Sequence, residues 1–280
     1  MGRITNAVIC AARACWYRIA EREDLRWSRR LSGWAYENWG FGEDPLVSVY
    51  VPTHNRADLL IERSLKSISA QTYKNLEIIV VADNCNDATT AKVLAYKHVI
   101  DPRVRLVFND RPKSFPHKAE NYWFAGRADP SNVGLAECKG AWIATNDDDD
   151  EWTPDHIEKL LRYAQQGNYE FVSAYHDTPK VKDARAPVKP YVVDGVWIGG
   201  VQTWLYRAYL KSFKFNRQCW RKRWNRVCDT DLQDRFVKAG VRMGFFPDVV
   251  THVDPRPGET KVGLKAYTAD PAKTERHFAS

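Results

Sequence analysis

The feature that most restricts this chain is a repeated order of apolar, β-branched runs and helix-period stretches between residues 46 and 161. Residues 46–51 ("LVSVYV"), 76–81 ("LEIIVV") and 104–108 ("VRLVF") each have the length and branching of a buried strand. Between the first two, Ile61, Leu65 and Ile68 recur on one side of a helix expected to start near Ala57. A shorter helix is expected over residues 88–96, and a fourth strand over 140–145. After it, Ile157, Leu160, Leu161 and Ala164 line the apolar side of another helix. Strands joined through helices make crossover connections, and crossovers make parallel pairs. The expected fold class is α/β: a Rossmann-like, mostly parallel sheet with flanking helices.

Sheets of this kind bind ligands beyond the carboxyl ends of their strands. Three polar clusters fall there: Thr53-His54-Asn55, the stretch from Asp83 to Asp87, and "NDDDDE" at 146–151. The last holds five consecutive carboxylates, Asp147 to Glu151. Like charges so close repel, so a cation or water must hold them. Mg²⁺ or Mn²⁺ suits such a set, since both take oxygen ligands and share them with substrate phosphates. The plainer reading is a solvated acidic loop ahead of a helix that Thr153 caps, with Pro154 and Asp155 in its first turn. An EF-hand does not fit, because the glycine at its sixth position is missing.

Elsewhere the pattern is less regular. Residues 1–40 read as an amphipathic helix, with Val8, Ala12, Cys15 and Ile19 at helical spacing among arginines and tryptophans. Packing on the main domain is the favoured role; a membrane-surface anchor is the other. Residues 40–45 read as a linker and 109–139 as irregular. Mixed strands are expected over 169–175, 191–198 and 202–206. A helix over 229–239 has Leu232, Phe236 and Ala239 on one side, one or two further strands lie within 241–250, and the tail after Pro255 reads as polar and mobile.

Composition narrows the partners. Of 280 residues, 44% are hydrophobic, ordinary for a globular domain, and the net charge of +7 fits an anionic partner. No apolar run approaches the length of a membrane-spanning helix. Six cysteines with no C-x-x-C pair and no secretory signal read as reduced thiols in the cytoplasm. The Cys/His spacing of a zinc site is absent.

Three segments together resemble the family 2 glycosyltransferases, which have the GT-A fold. They are "PLVSVYVPTHNRADLLIERSLKSISAQTYKNLEIIVVADNCND" (45–87), "GLAECKGAWIATNDDDDEWTPDHIEKLL" (134–161) and "CDTDLQDRFVKAG" (228–240). The likeness covers roughly residues 45–252. It implies an N-terminal helical segment (1–44), a GT-A catalytic domain (45–255) and a C-terminal tail (256–280). Within the catalytic domain, 45–152 would be the nucleotide-sugar half and 153–255 a smaller, mixed acceptor half.

The same likeness implies an inverting transfer of sugar from a nucleoside diphosphate sugar to an acceptor hydroxyl, aided by Mn²⁺ or Mg²⁺, in polysaccharide or glycan biosynthesis. Pro52, Thr53 and Asn55 would line the nucleotide pocket, and Asp83 would meet the base or ribose. Asp147 and Asp149 match the D-x-D acids. Asp149 would hold the metal, with Asp147 beside ribose and metal-bound water, and Asp148 contributing to the donor site. Asp229 would be the general base, and His252 would reach the metal or diphosphate.

The chain departs from the family pattern at Ala82 and Cys228, where acids are usual, and at Ser131-Asn132, where Arg-Asn is usual. A diphosphate contact would then come from Arg127 or Lys118. Ala82 and Cys228 leave room for a non-catalytic sugar-nucleotide or glycan-binding module. A nucleotidyltransferase is less favoured, because "PTHNRADLL" has no glycine for a phosphate loop. The basic, aromatic run at 211–226 contains no acid. It suits an anionic or lipid-linked acceptor, or rest on the inner face of an anionic membrane; a solvated basic surface explains it equally well. Nucleic acid is not expected, since a carboxylate-rich crevice repels its phosphates.

Overall fold

Parallel strands β1 (Val47–Thr53), β2 (Leu76–Asp83), β3 (Val104–Asn109) and β4 (Trp142–Thr145) form one side of the sheet, in the order β3-β2-β1-β4. The computed structural model describes residues 2–37, 44–110, 118–180, 184–221, 227–261 and 263–279. Residues 40–43 of the expected linker and 222–226 of the basic run lie outside them.

The strand sequences explain why both faces are covered. Val47, Val49 and Val51 of β1 join one buried cluster with Ile78 and Val80 of β2. Tyr50, Ile79 and Val81 point the other way into a second cluster. Period-2 alternation of apolar residues with no polar face demands a layer on each side. Helix α4 (Thr89–Val99) sends Val93 into the first cluster, as does α7 (His156–Gln166) with Ile157, Leu160, Leu161 and Ala164. Helix α8 (Cys228–Ala239) sends Leu232 and Phe236 into the second. The helix expected from Ala57 does form, but in three pieces: α2 (Ala57–Leu59), a π-helical turn (Leu60–Leu65) and α3 (Lys66–Ser69).

The later chain extends the sheet. Strand β5 (Asp150–Trp152) follows the first acids, and β6 (Phe171–Pro179) pairs at its end with β7 (Arg185–Pro187). A hairpin of β8 (Tyr191–Val193) and β9 (Val196–Ile198) stands apart. Strand β10 (Leu205–Arg207) lies antiparallel between β4 and β6, and β11 (Met243–Val253) joins β6 to β5. The sheet order is thus β3-β2-β1-β4-β10-β6-β11-β5.

Several expectations change. Within the stretch 109–139, of which 111–117 lie outside the described residues, α5 (Ala119–Ala125) and α6 (Ala128–Glu137) form where irregular chain was expected. Pro130 and Gly134 look like helix breakers in sequence. Pro130 lies in the first turn, where a missing amide costs little. At Gly134 a Cβ would stand 2.8 Å from the Tyr50 ring, so packing against β1 requires the glycine. Helix α7 begins later than expected: its N-cap is Asp155, and Thr153 instead sends its backbone amide to Val250 O (3.0 Å) and its hydroxyl to Asp155 (2.9 Å). The tail forms two helices, α9 (Leu264–Ala269) and α10 (Pro271–Ala279).

The N-terminal helix α1 (Gly2–Glu37) is 36 residues long and docks through its middle. Leu25 is buried in the second cluster. Arg29 pairs with Glu170, and Glu21 meets Arg235 of α8. Val8, Trp16, Ile19, Trp27 and Leu31 remain exposed. Among the described residues, no helix is long and apolar enough to cross a membrane.

Candidate functional site

The carboxyl ends of β1, β2 and β4 and the head of α8 surround one cavity of about 160 Å³. Pro52, Thr53 and Asp83 line it from the first two strands, Asp147, Asp148 and Asp149 from beyond the fourth, and Asp229 from α8. Seven residues singled out from sequence therefore share one crevice. Asn55 does not line it. With φ of 51°, Asn55 takes the left-handed conformation that asparagine tolerates better than most residues, and its side-chain oxygen accepts the Asn86 amide at 2.9 Å. It shapes the turn after β1. His252, expected to reach a metal, also lies off the lining, and its Nδ1 meets Asp177 at 2.9 Å.

Arginines neutralise the acid run. Asp147 pairs with Arg127. Asp148, almost fully buried, accepts from Thr53 Oγ1 and from Arg56, both at 2.7 Å. Asp149 accepts from Arg256 Nε at 2.6 Å. Burial works to raise the Asp149 pKa, but Arg256 and Arg56 outweigh it and hold the carboxyl below its ordinary range. At Asp150 the balance reverses: burial, then the neighbouring Asp149 and Asp148 carboxylates, push it well above that range. Asp150 belongs to β5 rather than to a solvated loop, which alternating pairing with β11 could not have revealed from five like residues in a row.

Asp83 ends β2, buried, with Asn109 donating to its Oδ1 at 2.8 Å. Asp229 sits in the first turn of α8, one residue past the buried Cys228, and accepts the Thr230 amide at 2.6 Å. A helix N-terminus alone would lower its pKa. Burial instead raises it, against the Thr230 amide and Arg127. A raised carboxylate beside a cavity has the basicity a proton acceptor needs. Arg127 also donates to Thr145 Oγ1 at 2.5 Å, and its buried Nε meets no hydrogen-bond partner among the described residues. Lys118 does not line the crevice.

The donor set fits a hard divalent cation of the kind that takes one or two carboxylates and fills its remaining positions with water and phosphate. Asp147 and Asp149 offer oxygen only. Among the described residues no three His, Cys, Asp or Glu side chains form a ready-made metal cage, so the protein by itself does not complete such a site.

Of the basic and aromatic lining, sequence reasoning found Arg127 and missed the rest. Arg56 follows Asn55 directly, and its charge beside three polar residues was a usable signal. Tyr122, Arg256, Tyr267 and Phe278 also line the crevice. They come from α5 and from the tail, far from the strand ends in sequence, and no local pattern marks them.

Residues 48–223 match the family model for glycosyl transferase family 2. A UDP-Glc:alpha-D-GlcNAc-diphosphoundecaprenol beta-1,3-glucosyltransferase of Escherichia coli is 32% identical over 180 residues, covering 62% of this chain and 65% of that protein. A GalNAc(5)-diNAcBac-PP-undecaprenol beta-1,3-glucosyltransferase of Campylobacter jejuni is 34% identical over 123 residues, 44% of this chain and 36% of that one. In both cases the match spans less than two thirds of the relative. Among solved structures, S. aureus TarS 1-349 with UDP-GlcNAc superposes with a TM-score of 0.56 at 17% identity, covering 76% of this chain and 59% of that one. The mannosyltransferase PcManGT of Pyrobaculum calidifontis, in complex with GDP-Man and Mn²⁺, gives 0.56 at 18% identity over 91% and 69%. The fold is GT-A. By the family model, which matches well over half of its length, the chain belongs to glycosyl transferase family 2.

Proposed function

We propose that the crevice transfers a sugar, with inversion, from a nucleoside diphosphate sugar to an acceptor hydroxyl in polysaccharide or glycan biosynthesis. One observation carries the reading: Asp83, the acid run and Asp229 line the same cavity at the strand ends of a family 2 chain. Pro52, Thr53 and Asp83 hold the nucleoside. Asp148 fixes Thr53 and Arg56 in place through its two hydrogen bonds. Asp149 and Asp147 would hold Mn²⁺ or Mg²⁺, which when bound supplies Lewis-acid stabilisation of the departing diphosphate. Arg127, on the lining, would bring its positive charge to the same phosphates. Asp229 accepts the acceptor's proton as the hydroxyl attacks, and its raised pKa favours that step.

The relatives' names include diphosphoundecaprenol and PP-undecaprenol acceptors. A lipid-linked, anionic acceptor suits this chain's net positive charge and basic 211–226 run. Such an acceptor would bring the protein to the inner face of a membrane as a peripheral visitor.

The test is a thermal-shift screen of nucleoside diphosphates and their sugars, with and without Mn²⁺. Ligands that bind the folded state raise its melting temperature. A metal-dependent rise with at least one sugar nucleotide is expected. No rise with any of them, at millimolar ligand, refutes the proposal.

A further inference from the structure

The cavity is too small for the ligand assigned to it. At about 160 Å³ it falls below the roughly 300–1,000 Å³ of ordinary ligand pockets. What fills it comes from the C-terminal segment. The Phe278 ring lies between two other flat rings: His54 at 5.2 Å and 13°, and Tyr122 at 4.5 Å and 17°. His277 O stands 3.0 Å from His54 Nε2, and Arg256 holds Asp149. The stacked ring shares the crevice with Asp83, where a base would rest, and a guanidinium on Asp149 is where a cation would.

The segment that makes these contacts is held at the surface, by Tyr267 against Trp123, by the Phe278 stack and by the Ala119 amide donating to Glu275 at 3.3 Å. Helix α9 buries no residue, and most of α10 is exposed or half-buried. Between it and α2 and α4 lies a second cavity of about 730 Å³, lined by Lys92, Pro257, Lys273 and Thr274 among others, with Arg56, Arg256, Tyr267 and Phe278 forming the wall shared with the first. Elements with few buried contacts open at low free-energy cost. The segment is therefore held by contacts made at the surface, with open space beside it.

We propose that the C-terminal segment is an internal competitor of the donor: Phe278 occupies the slot of the nucleobase and Arg256 the place of the metal, and both must leave before a sugar nucleotide binds. The inference rests on the sugar-nucleotide reading of the cavity. A ligand that must displace a stacked ring binds more weakly by the free energy of that contact.

The experiment compares the protein with its Phe278→Ala and Phe278→Tyr variants, using calorimetric titration of UDP, GDP, ADP and CDP in Mn²⁺. Phe278 is partly exposed, so neither change threatens folding. The Ala variant is expected to bind the preferred nucleotide about 10-fold tighter, the equivalent of one stacked aromatic contact, and the Tyr variant to match wild type. Hydrogen exchange of amides in α9 and α10 should quicken when that nucleotide binds wild type. Equal or weaker binding by Phe278→Ala, or slowed exchange in α10, overturns the competitor while leaving the donor reading intact. Binding of no nucleotide to any of the three proteins removes the donor reading and the competitor together.

Discussion

Replacing Glu170 with Gln should loosen the docking of α1 on the catalytic domain. The Glu170 side chain is fully buried and its carboxylate takes four donors: Arg29 Nε (2.6 Å) and Nη2 (2.5 Å), Tyr209 OH (2.6 Å) and the Arg242 amide (2.7 Å). Glutamine keeps the shape and one accepting oxygen, so two of the four bonds lose their acceptor. Hydrogen bonds to charged groups contribute about 1.5–3 kcal/mol each, and breaking a buried pair costs about 3–5 kcal/mol. Arg29 is 31% exposed and recovers some water, which favours the lower end, about 3 kcal/mol.

Urea unfolding followed by tryptophan fluorescence measures the change as a fall in midpoint at unchanged slope. The pH dependence adds a second check. Burial works to raise the Glu170 pKa, but the Arg29 bonds, the Arg242 amide and Tyr209 prevail and hold it below normal. Its stabilisation is then complete above the unfolded-state value and lost as pH falls through the folded one. The gap between wild type and variant should shrink in acid, below about pH 4.3. A loss under about 1 kcal/mol at neutral pH would refute the reasoning.

Three further outcomes are expected. Asp229→Asn should lower sugar transfer by about 10²–10⁴-fold with donor binding unchanged, and a rate within a few-fold of wild type removes Asp229 as the base. Asp149→Ala should abolish the Mn²⁺-dependent part of donor binding; titrations that respond to chelator as wild type does would take the metal away from Asp149. His156 is buried against Trp152 with Nδ1 donating to Val250 O, and burial lowers its pKa to about 3. The unfolded chain binds a proton there below about pH 6.5 and the folded chain does not, so wild-type stability should fall as pH drops from that value. His156→Asn should flatten the slope, and an unchanged slope assigns it elsewhere.

The parallel half of the sheet was readable because its central strands β1 and β2 are short, rich in β-branched residues and buried on both faces. The crevice was readable for a related reason: Thr53 and Asp83 are the first polar residues after such runs and Asp147 is the first charged one, and the topology sends all three to one edge. What escaped depended on distant partners. Asp150 is a strand residue only because Val253 of β11 lies beside it. Gly134 is tolerated in a helix only because of the Tyr50 ring. Phe278 reaches His54 across more than two hundred residues of chain, and no window of sequence contains both.

The late antiparallel strand β10 has a consequence for synthesis. Leu205 follows Thr145 by 60 residues, yet β10 is the neighbour that covers β4. At translation rates of roughly 5–20 residues per second, the nascent β-α half waits about 3–12 s with a bare strand edge. An edge of that kind invites pairing with other chains. Slow stretches of message between these two positions should therefore raise the yield of insoluble protein, and anything that shields β4 on the ribosome should lower it.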